Sequence, residues 1–397
     1  MPDHLNLMLV AGEPSGDAHA AALATALKNT TAGSTELKVF GGTGPLMRAA
    51  GVETVIQSDD LAILGLLEIG RALPRFWKAY EALKQSALDR KPDAVVLVDW
   101  PDFNFRLARA LHAQGLRIIY YISPQLWAWR PHRVQNIKRD VDLLLAILPF
   151  EPGWYAARGV NHVEFVGHPL AGEVRPRYGR EEFCQKHGLE PGRPIVSLLP
   201  GSRHKELQRI LPPMLDAVSS LSRNDRGIQF VLVIAPSRSK EEAEQIIARR
   251  PDATDLMQLV TIAEHETREA LGASDAAAIA SGTATLEAAL LGTPMVIGYR
   301  ESRINWHTLG RLITAEHYGL VNLIAGERLV TELMQNDLNG ERLAAELEAL
   351  LQPQRNNEVR SNLLRVTSQL GNGGASTRAA KRILEFIDAG ARHAKEP

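Results

Sequence analysis

Short apolar runs alternate along the chain with longer amphipathic segments, and this alternation occurs in both halves of the sequence. Such runs are typical of strands buried on both faces of a sheet, and the segments between them are typical of helices. The runs that predict strands are 5–11, 38–40, 93–98, 117–122, 143–148 and 162–166, then 194–199, 229–234, 258–262, 276–279 and 295–299. Strands that alternate with helices in this way predict doubly wound parallel sheets.

A polar segment rich in glycine and proline, 167–193, separates the two halves and predicts an interdomain connection. The predicted parts are a Rossmann-like domain at 1–170, a second at 171–371 and a C-terminal helix at 372–397. Ile383, Leu384 and Ile387 give that helix an apolar face. We expect the helix either to pack back on the first domain or to exchange with a partner chain in a homodimer.

The stretch 280–287 predicts a tight turn between a buried strand and a helix. Ser281, Gly282 and Thr283 leave the first backbone N–H groups of the helix open, so the turn suits a phosphate or a diphosphate. Glu287 follows one turn later and would repel a diphosphate, so we expect it to meet hydroxyl groups such as those of a ribose. The alternative, a capped helix with a solvated glutamate, has equal weight on the motif alone.

Composition narrows the class of protein. The chain has 397 residues, 45% hydrophobic and 23% charged, with a net charge of −1, which gives no general attraction to nucleic acid. The single cysteine, Cys184, excludes an intramolecular disulfide and a cysteine-rich metal site, and fits a reducing cytoplasm. We expect no signal peptide, because no basic segment precedes the first strand, and no membrane span, because no apolar run is long enough.

Distinctive polar and aromatic motifs follow the predicted strands, at the sheet edge where doubly wound proteins bind ligands. They are Ala11-Gly12-Glu13-Pro14-Ser15-Gly16-Asp17, Pro101-Asp102-Phe103-Asn104, Ser123-Pro124-Gln125-Leu126-Trp127-Ala128-Trp129-Arg130, Leu148-Pro149-Phe150-Glu151, Leu199-Pro200-Gly201-Ser202-Arg203 and Ala280-Ser281-Gly282-Thr283. Their order and spacing resemble those of the lipid-A-disaccharide synthase family, from about Leu5 to beyond Asn322. The resemblance implies a GT-B arrangement, an α/β fold in which two Rossmann-like domains face each other across a cleft.

The resemblance also implies an activity: inverting transfer of 2,3-diacylglucosamine from its UDP derivative to 2,3-diacylglucosamine 1-phosphate. Such a displacement needs a base at the acceptor hydroxyl and positive charge at the leaving UDP. We expect Arg203 and the turn at Ser281 to supply that charge, so that neither a metal nor a cofactor is needed.

For the base, we prefer Asp102 and place Asp99 second, because both lie at the end of a first-domain strand. The alternative for either aspartate is helix capping. Glu13, Ser15 and Asp17 resemble the acceptor-side motif of the family, and Glu13 is a third catalytic candidate. Ser15 or Asp17 could instead be a helix N-cap.

Four further residues are substrate-binding candidates. Trp129 and Arg130 combine an aromatic ring with a cation, which suits a sugar or acyl chain beside a phosphate, although at least one of Trp127 and Trp129 should be buried. His168 is expected to line the interdomain cleft, or else to be a hydrogen-bonded loop histidine. Asn322 matches a family position near the nucleotide, or else it is a turn residue.

Segment 61–83 is more apolar than one buried helix face requires, and basic residues interrupt it. With lipid substrates, this composition favours docking at the anionic inner-membrane surface from the cytoplasm. Two other functions stay open on the sequence: a different GT-B enzyme such as a UDP-N-acetylglucosamine 2-epimerase, or a UDP-sugar-binding protein without catalysis.

Overall fold

The computed structural model describes residues 3–59, 69–224, 227–302 and 317–393. Residues 61–68 of the apolar segment at 61–83 lie outside this range. The chain divides into two compact units. Unit 1 consists of Met1–Pro169 with Leu370–Pro397, and unit 2 consists of Leu170–Gln369.

Unit 1 contains a parallel sheet of seven strands in the order β3-β2-β1-β4-β5-β6-β7. The strands are β1 (His4–Ala11), β2 (Glu36–Thr43), β3 (Glu53–Gln57), β4 (Ala94–Val98), β5 (Ile118–Tyr121), β6 (Leu143–Ala146) and β7 (Val163–Phe165). Successive residues of β1 point to opposite faces, and both sets are buried. Leu7 and Leu9 join one core, whereas Met8 and Val10 join the other.

Helices cover both faces of this sheet. They are α1 (Pro14–Thr31), α2 (Pro45–Ala49), α3 (Ile69–Arg90), α4 (Pro101–His112), α5 (Val134–Asp140), α6 (Glu151–Ala156) and the C-terminal α16 (Ala375–His393). The C-terminal helix belongs to unit 1, where Ile383, Leu384 and Ile387 lie in the same core as α1. Arg382 of this helix pairs with Glu164 of β7, which fixes its position on the sheet.

The second strand is longer than the apolar run 38–40 predicts. Gly41 to Thr43 continue β2, although a glycine-rich stretch of this kind is typical of a loop. Gly41 has a φ of +154°, and a Cβ placed there would lie 2.0 Å from the carbonyl oxygen of Leu9 on β1. The two backbones approach so closely that only glycine fits, so this glycine serves strand pairing.

Unit 2 contains a parallel sheet of six strands in the order β10-β9-β8-β11-β12-β13. The strands are β8 (Ile195–Leu199), β9 (Gln229–Ile234), β10 (Val260–Glu264), β11 (Ala276–Ala280), β12 (Met295–Tyr299) and β13 (Glu332–Met334). Its helices are α7 (Arg180–His187), α8 (His204–Asn224), α9 (Lys240–Ala248), α10 (Ala253–Leu259), α11 (Thr267–Ala273), α12 (Thr283–Leu290), α13 (Leu320–Ala325), α14 (Gly340–Leu351) and α15 (Pro353–Thr367).

Each sheet has a topological switch point, where the strand order reverses direction. In unit 1 it lies between β1 and β4, and in unit 2 between β8 and β11. Loops after such neighbouring strands leave in opposite directions and open a crevice for ligands. In the part of the chain that the structure describes, no helix is long and apolar enough to cross a membrane.

Candidate active site

The switch point of unit 1 brings Glu13, after β1, close to Asp99, after β4. Asp99 and Trp100 both have left-handed backbone conformations, with φ of 48° and 52°. The indole of Trp100 stacks on Phe103 at 4.0 Å and lies over Gly12, where a Cβ would come within 1.9 Å of the ring. Two consecutive non-glycine residues at positive φ are uncommon, and such strain concentrates at functional sites.

Asp99 carries an unusual carboxyl group. Burial and, to a smaller extent, the negative charge of Glu13 raise its pKa to about 6, whereas the backbone N–H of Trp100 opposes the rise. The hydroxyl of Tyr120 and the side-chain amide of Asn104 donate to the carbonyl oxygen of Asp99 at 2.6 Å and 2.7 Å. The backbone that carries the carboxylate is therefore fixed, and its pKa suits a general base near neutral pH.

Asp102, the base preferred on the sequence, lies in a different environment. Its side chain is 67% exposed in the first turn of α4. Arg133 donates a hydrogen bond to its carboxylate, and the guanidinium of Arg130 lies 3.6 Å from it. Asp102 is thus the exposed, ion-paired carboxylate at this strand end, whereas Asp99 is the buried one; the sequence had placed Asp102 first and Asp99 second as the base.

The acceptor-side motif at the start of α1 divides into exposed and buried residues. Glu13 and Ser15 are exposed, whereas Asp17 is buried. The Asp17 carboxylate accepts hydrogen bonds from the backbone N–H groups of Leu46 and Met47, at 2.8 Å and 3.0 Å. It therefore caps α2, and this placement favours a structural role over the substrate contact predicted from the motif.

His168 is buried in unit 1 and lies near His19 of α1, a residue that the sequence did not single out. Burial lowers the pKa of His168 to about 4, with a smaller contribution from His19, and burial also lowers the pKa of His19. Both imidazoles are therefore neutral at pH 7.

The two tryptophans of the loop after β5 have different roles. Trp127 is buried and donates from its indole nitrogen to Glu151 at 3.2 Å. Trp129 is 41% exposed, and the guanidinium of Arg130 stacks on its ring at 4.3 Å. Trp127 therefore anchors the loop, and Trp129 and Arg130 stay accessible to a ligand.

Glu151 is a buried carboxyl group whose importance the sequence did not reveal. It accepts from the backbone N–H groups of Ile147 and Leu148 as well as from Trp127. Burial raises its pKa to about 7, although these donors oppose the rise. The Leu148-Pro149-Phe150-Glu151 motif was the available signal, but a glutamate at a helix start is common enough to hide the buried network.

In unit 2, residues at the switch point line a pocket of about 220 Å³. Its charged walls contain Arg203, Lys205, Arg209 and Arg300 against Glu206 and Glu301. Glu206 accepts from the backbone N–H groups of Ser202 and Arg203 at 3.0 Å and 3.2 Å, and from the Arg203 guanidinium at 3.1 Å. Glu206 thus folds the loop, while the Arg203 side chain stays 83% exposed. The pocket suits an anion.

The turn at Ser281 lies beside this pocket and opens α12. Gly282 precedes the helix in an extended conformation without side-chain capping, and a Cβ there would meet open space. Among the described residues, no acceptor takes the backbone N–H groups of Thr283 and Ala284. The Ser281 hydroxyl donates to the carbonyl of Tyr318 at 3.1 Å, so this side chain positions the turn while the backbone faces outward.

The other two nucleotide-side candidates make internal contacts. Glu287 accepts from Arg268 at 3.0 Å, and its side chain is 18% exposed. Asn322 is fully buried, and its amide makes three hydrogen bonds, two with backbone groups of Val330 and one with Glu332. Asn322 therefore fixes the segment between α13 and β13, and its burial does not favour direct contact with a nucleotide. No described set of His, Cys, Asp and Glu side chains is arranged to hold a metal ion.

The sequence matches a known protein family over nearly its whole length. A family model described as lipid-A-disaccharide synthetase matches residues 7–385. The chain is 40% identical over 382 residues to the lipid-A-disaccharide synthase of Geobacter sulfurreducens, covering 96% of this chain and 97% of the relative. It is 39% identical to that of Myxococcus xanthus, covering 97% and 98%.

Solved structures share the fold at low identity. The structure of S. aureus MnaA with UDP superimposes with a TM-score of 0.65 at 14% identity, covering 97% of each chain. Acinetobacter baumannii MurG gives a TM-score of 0.58 at 14% identity, covering 97% of this chain and 100% of that one. With its two doubly wound units and its full-length sequence match, the chain belongs to the lipid-A-disaccharide synthase family of GT-B glycosyltransferases.

Proposed function

We propose that this chain transfers 2,3-diacylglucosamine from UDP-2,3-diacylglucosamine to 2,3-diacylglucosamine 1-phosphate, with Asp99 as general base. Asp99 takes the proton of the acceptor 6-hydroxyl while that oxygen bonds to the anomeric carbon and the bond to UDP breaks. The products are UDP and the β-1′,6-linked disaccharide 1-phosphate, with inversion at the anomeric carbon. Family membership supports these substrates.

The observation that carries this chemistry is the environment of Asp99. A base works best when its pKa lies near the operating pH, because it is then ionised and still basic enough to take a proton. Burial and Glu13 raise the Asp99 pKa to about 6, so the group is largely ionised at pH 7. Glu13 contributes as a neighbouring charge that tunes the base.

Unit 2 supplies the positive charge for the leaving UDP. The exposed Arg203 guanidinium can donate two hydrogen bonds to a diphosphate. The open N–H groups at Thr283 and Ala284 add the partial positive charge of a helix N-terminus. Glu287 lies one turn further along α12 and accepts a hydrogen bond from Arg268; in this proposal its second carboxylate oxygen meets the ribose hydroxyls. Charge neutralisation of this kind stabilises a transition state in which the diphosphate leaves.

One incubation tests this function. Purified protein is mixed with both substrates, and the disaccharide 1-phosphate and UDP that form are quantified. We expect the two products in equal amounts. Absence of disaccharide under conditions where UDP binds would contradict the synthase activity and leave a binding protein.

We further propose that α3 docks this enzyme on the anionic inner-membrane surface from the cytoplasm. Phe76 and Tyr80 face inward, toward Trp100 and Phe103, whereas Trp77 is 63% exposed. Arg75 and Lys78 beside it are exposed as well. An aromatic ring between cations suits a headgroup layer, where the ring enters the interface and the cations meet anionic lipids.

Sedimentation with vesicles tests the docking. Trp77→Ser should weaken binding to vesicles that contain anionic lipid, and added salt should weaken it further. Leu364→Ser is the matched control, because Leu364 is a 62% exposed apolar residue on α15 in unit 2. Equal binding by both variants would refute docking through α3.

A further inference from the structure

Three charged side chains form a cluster on the surface of unit 1 that the proposed transfer step does not use. Arg133 donates a hydrogen bond to the carboxylate of Asp102, and Arg130 lies 3.6 Å from the same oxygen. The cluster lies beside the loop that carries Asp99, since Asp102 is in the first turn of α4. Two guanidiniums thus share one carboxylate close to the proposed base.

The fold holds both guanidiniums in place without a ligand. Arg130 has a left-handed backbone with φ of 55°, and its guanidinium stacks on Trp129 at 4.3 Å. The guanidinium of Arg133 lies 5.7 Å from the ring of Phe105. The buried Trp127 anchors the loop after β5 by donating a hydrogen bond to Glu151. The left-handed backbone of Arg130 carries a conformational cost, and cation–π attraction holds both guanidiniums against neighbouring rings, so the arrangement is preorganised.

The charges of the cluster do not balance. Two guanidiniums face one carboxylate, which leaves an excess of one positive charge. Asp102 is 67% exposed, so its carboxylate can move into water at little cost. A phosphate monoester carries nearly two negative charges at neutral pH and offers three acceptor oxygens, which matches a pair of guanidiniums better than one carboxylate does.

We propose that Arg130 and Arg133 form a binding site for a sugar phosphate monoester, in which Asp102 is the counter-ion that the phosphate displaces. Resting on the function proposed above, the site receives the 1-phosphate of the acceptor, and the exposed face of Trp129 borders the sugar. Arg130 and Arg133 thereby make the enzyme select a phosphorylated acceptor, and Asp102 acts in binding rather than in proton transfer.

A comparison of two acceptors tests the site. Diacylglucosamine 1-phosphate and the same lipid without phosphate are assayed with wild type, with the double variant Arg130→Ala/Arg133→Ala, and with Arg158→Ala. Arg158 is the matched control, because its guanidinium also stacks on a tryptophan of unit 1, Trp154, at 3.8 Å. The double variant should raise KM for the phosphorylated acceptor about tenfold to hundredfold. KM for the unphosphorylated acceptor and for the UDP-sugar should change less than about threefold.

A double variant that keeps the wild-type preference for the phosphorylated acceptor would overturn the site. A double variant whose KM rises by the same factor for both acceptors would overturn it as well. Asp102→Asn gives a second test at an exposed position, where folding is not at risk. Removing the competing carboxylate should lower KM for the phosphorylated acceptor several-fold, and a rise would count against the site.

The site and the synthase function can fail separately. If wild type forms no disaccharide, the transferase proposal fails, and binding of glucosamine 1-phosphate measured by NMR still tests the cluster. Binding by wild type and Arg158→Ala, lost in the double variant, would support the site. Equal binding by all three proteins would overturn it.

Discussion

Replacement of Asp99 by asparagine should remove most turnover and at the same time stabilise unit 1 above pH 6. The loss of a general base lowers kcat by about a hundredfold to ten-thousandfold. The gain in stability follows from the cost of burying the carboxylate beside Glu13. A rise in the carboxyl pKa from 3.8 to about 6 corresponds to about 3 kcal/mol between the folded and unfolded chains.

The sign of the pH dependence follows from proton binding. Between about pH 4 and pH 6 the folded chain holds the Asp99 proton more tightly than the unfolded chain, so stability falls as the pH rises. The cost is complete above pH 6 and absent below about pH 4. Asparagine is neutral throughout, so Asp99→Asn should raise the free energy of unfolding by up to about 3 kcal/mol at pH 8 and by little at pH 4.

Calorimetry and initial rates measure both effects. The unfolding transition of unit 1 should rise by up to roughly 10 °C at pH 8, and wild-type kcat/KM should fall below about pH 6 as Asp99 protonates. Glu13→Gln should shift this fall in kcat/KM to lower pH. Asp89→Asn is a control at an exposed aspartate of α3 and should change neither quantity. Turnover within tenfold of wild type would remove Asp99 as the base. If Asp99→Asn raised the unfolding temperature above that of wild type by the same amount at pH 4 and at pH 8, the burial argument would be refuted.

Three further substitutions separate structural from functional roles. Gly12→Ala would place a Cβ 1.9 Å from the Trp100 ring, so we expect about 1–3 kcal/mol of destabilisation and slower turnover; an unfolding temperature equal to that of wild type would contradict this. Asn322→Ala should cost about 1–3 kcal/mol, because buried groups lose their partners, with little change in KM for the UDP-sugar; a raised KM at unaltered stability would instead indicate nucleotide contact. Arg203→Ala should raise that KM about tenfold or more without destabilising the chain; an unchanged KM would exclude diphosphate contact.

Most of the strands could be predicted from the sequence because both of their faces are buried. Every residue of β4 is buried, for example, and an apolar run is the direct consequence. Two edge strands were missed. β3 is largely exposed or half-buried, and β13 has only three residues, too few for any periodic pattern. Glycine was the other difficulty, since a glycine required for strand pairing at Gly41 resembles one required for a loop.

The sequence marked the candidate site residues by their motifs but gave no information on their individual environments. Asp99 and Asp102 stand three residues apart at one strand end, and the sequence contains no sign that one is buried beside Glu13 and the other ion-paired to two arginines. Trp127 and Trp129 likewise differ only by burial. These differences depend on residues distant in sequence.

The sequence by itself determined the two doubly wound sheets and the strand ends at which the polar motifs lie, because periodicity and the turn residues after each strand are local properties. It also determined the family, through motifs in a fixed order. Only the tertiary structure decided which carboxylate has a raised pKa, which indole is an anchor and which aspartate caps a helix. Burial and charge–charge interaction depend on three-dimensional proximity, which Asp99 and Glu13 acquire only when β1 and β4 pair.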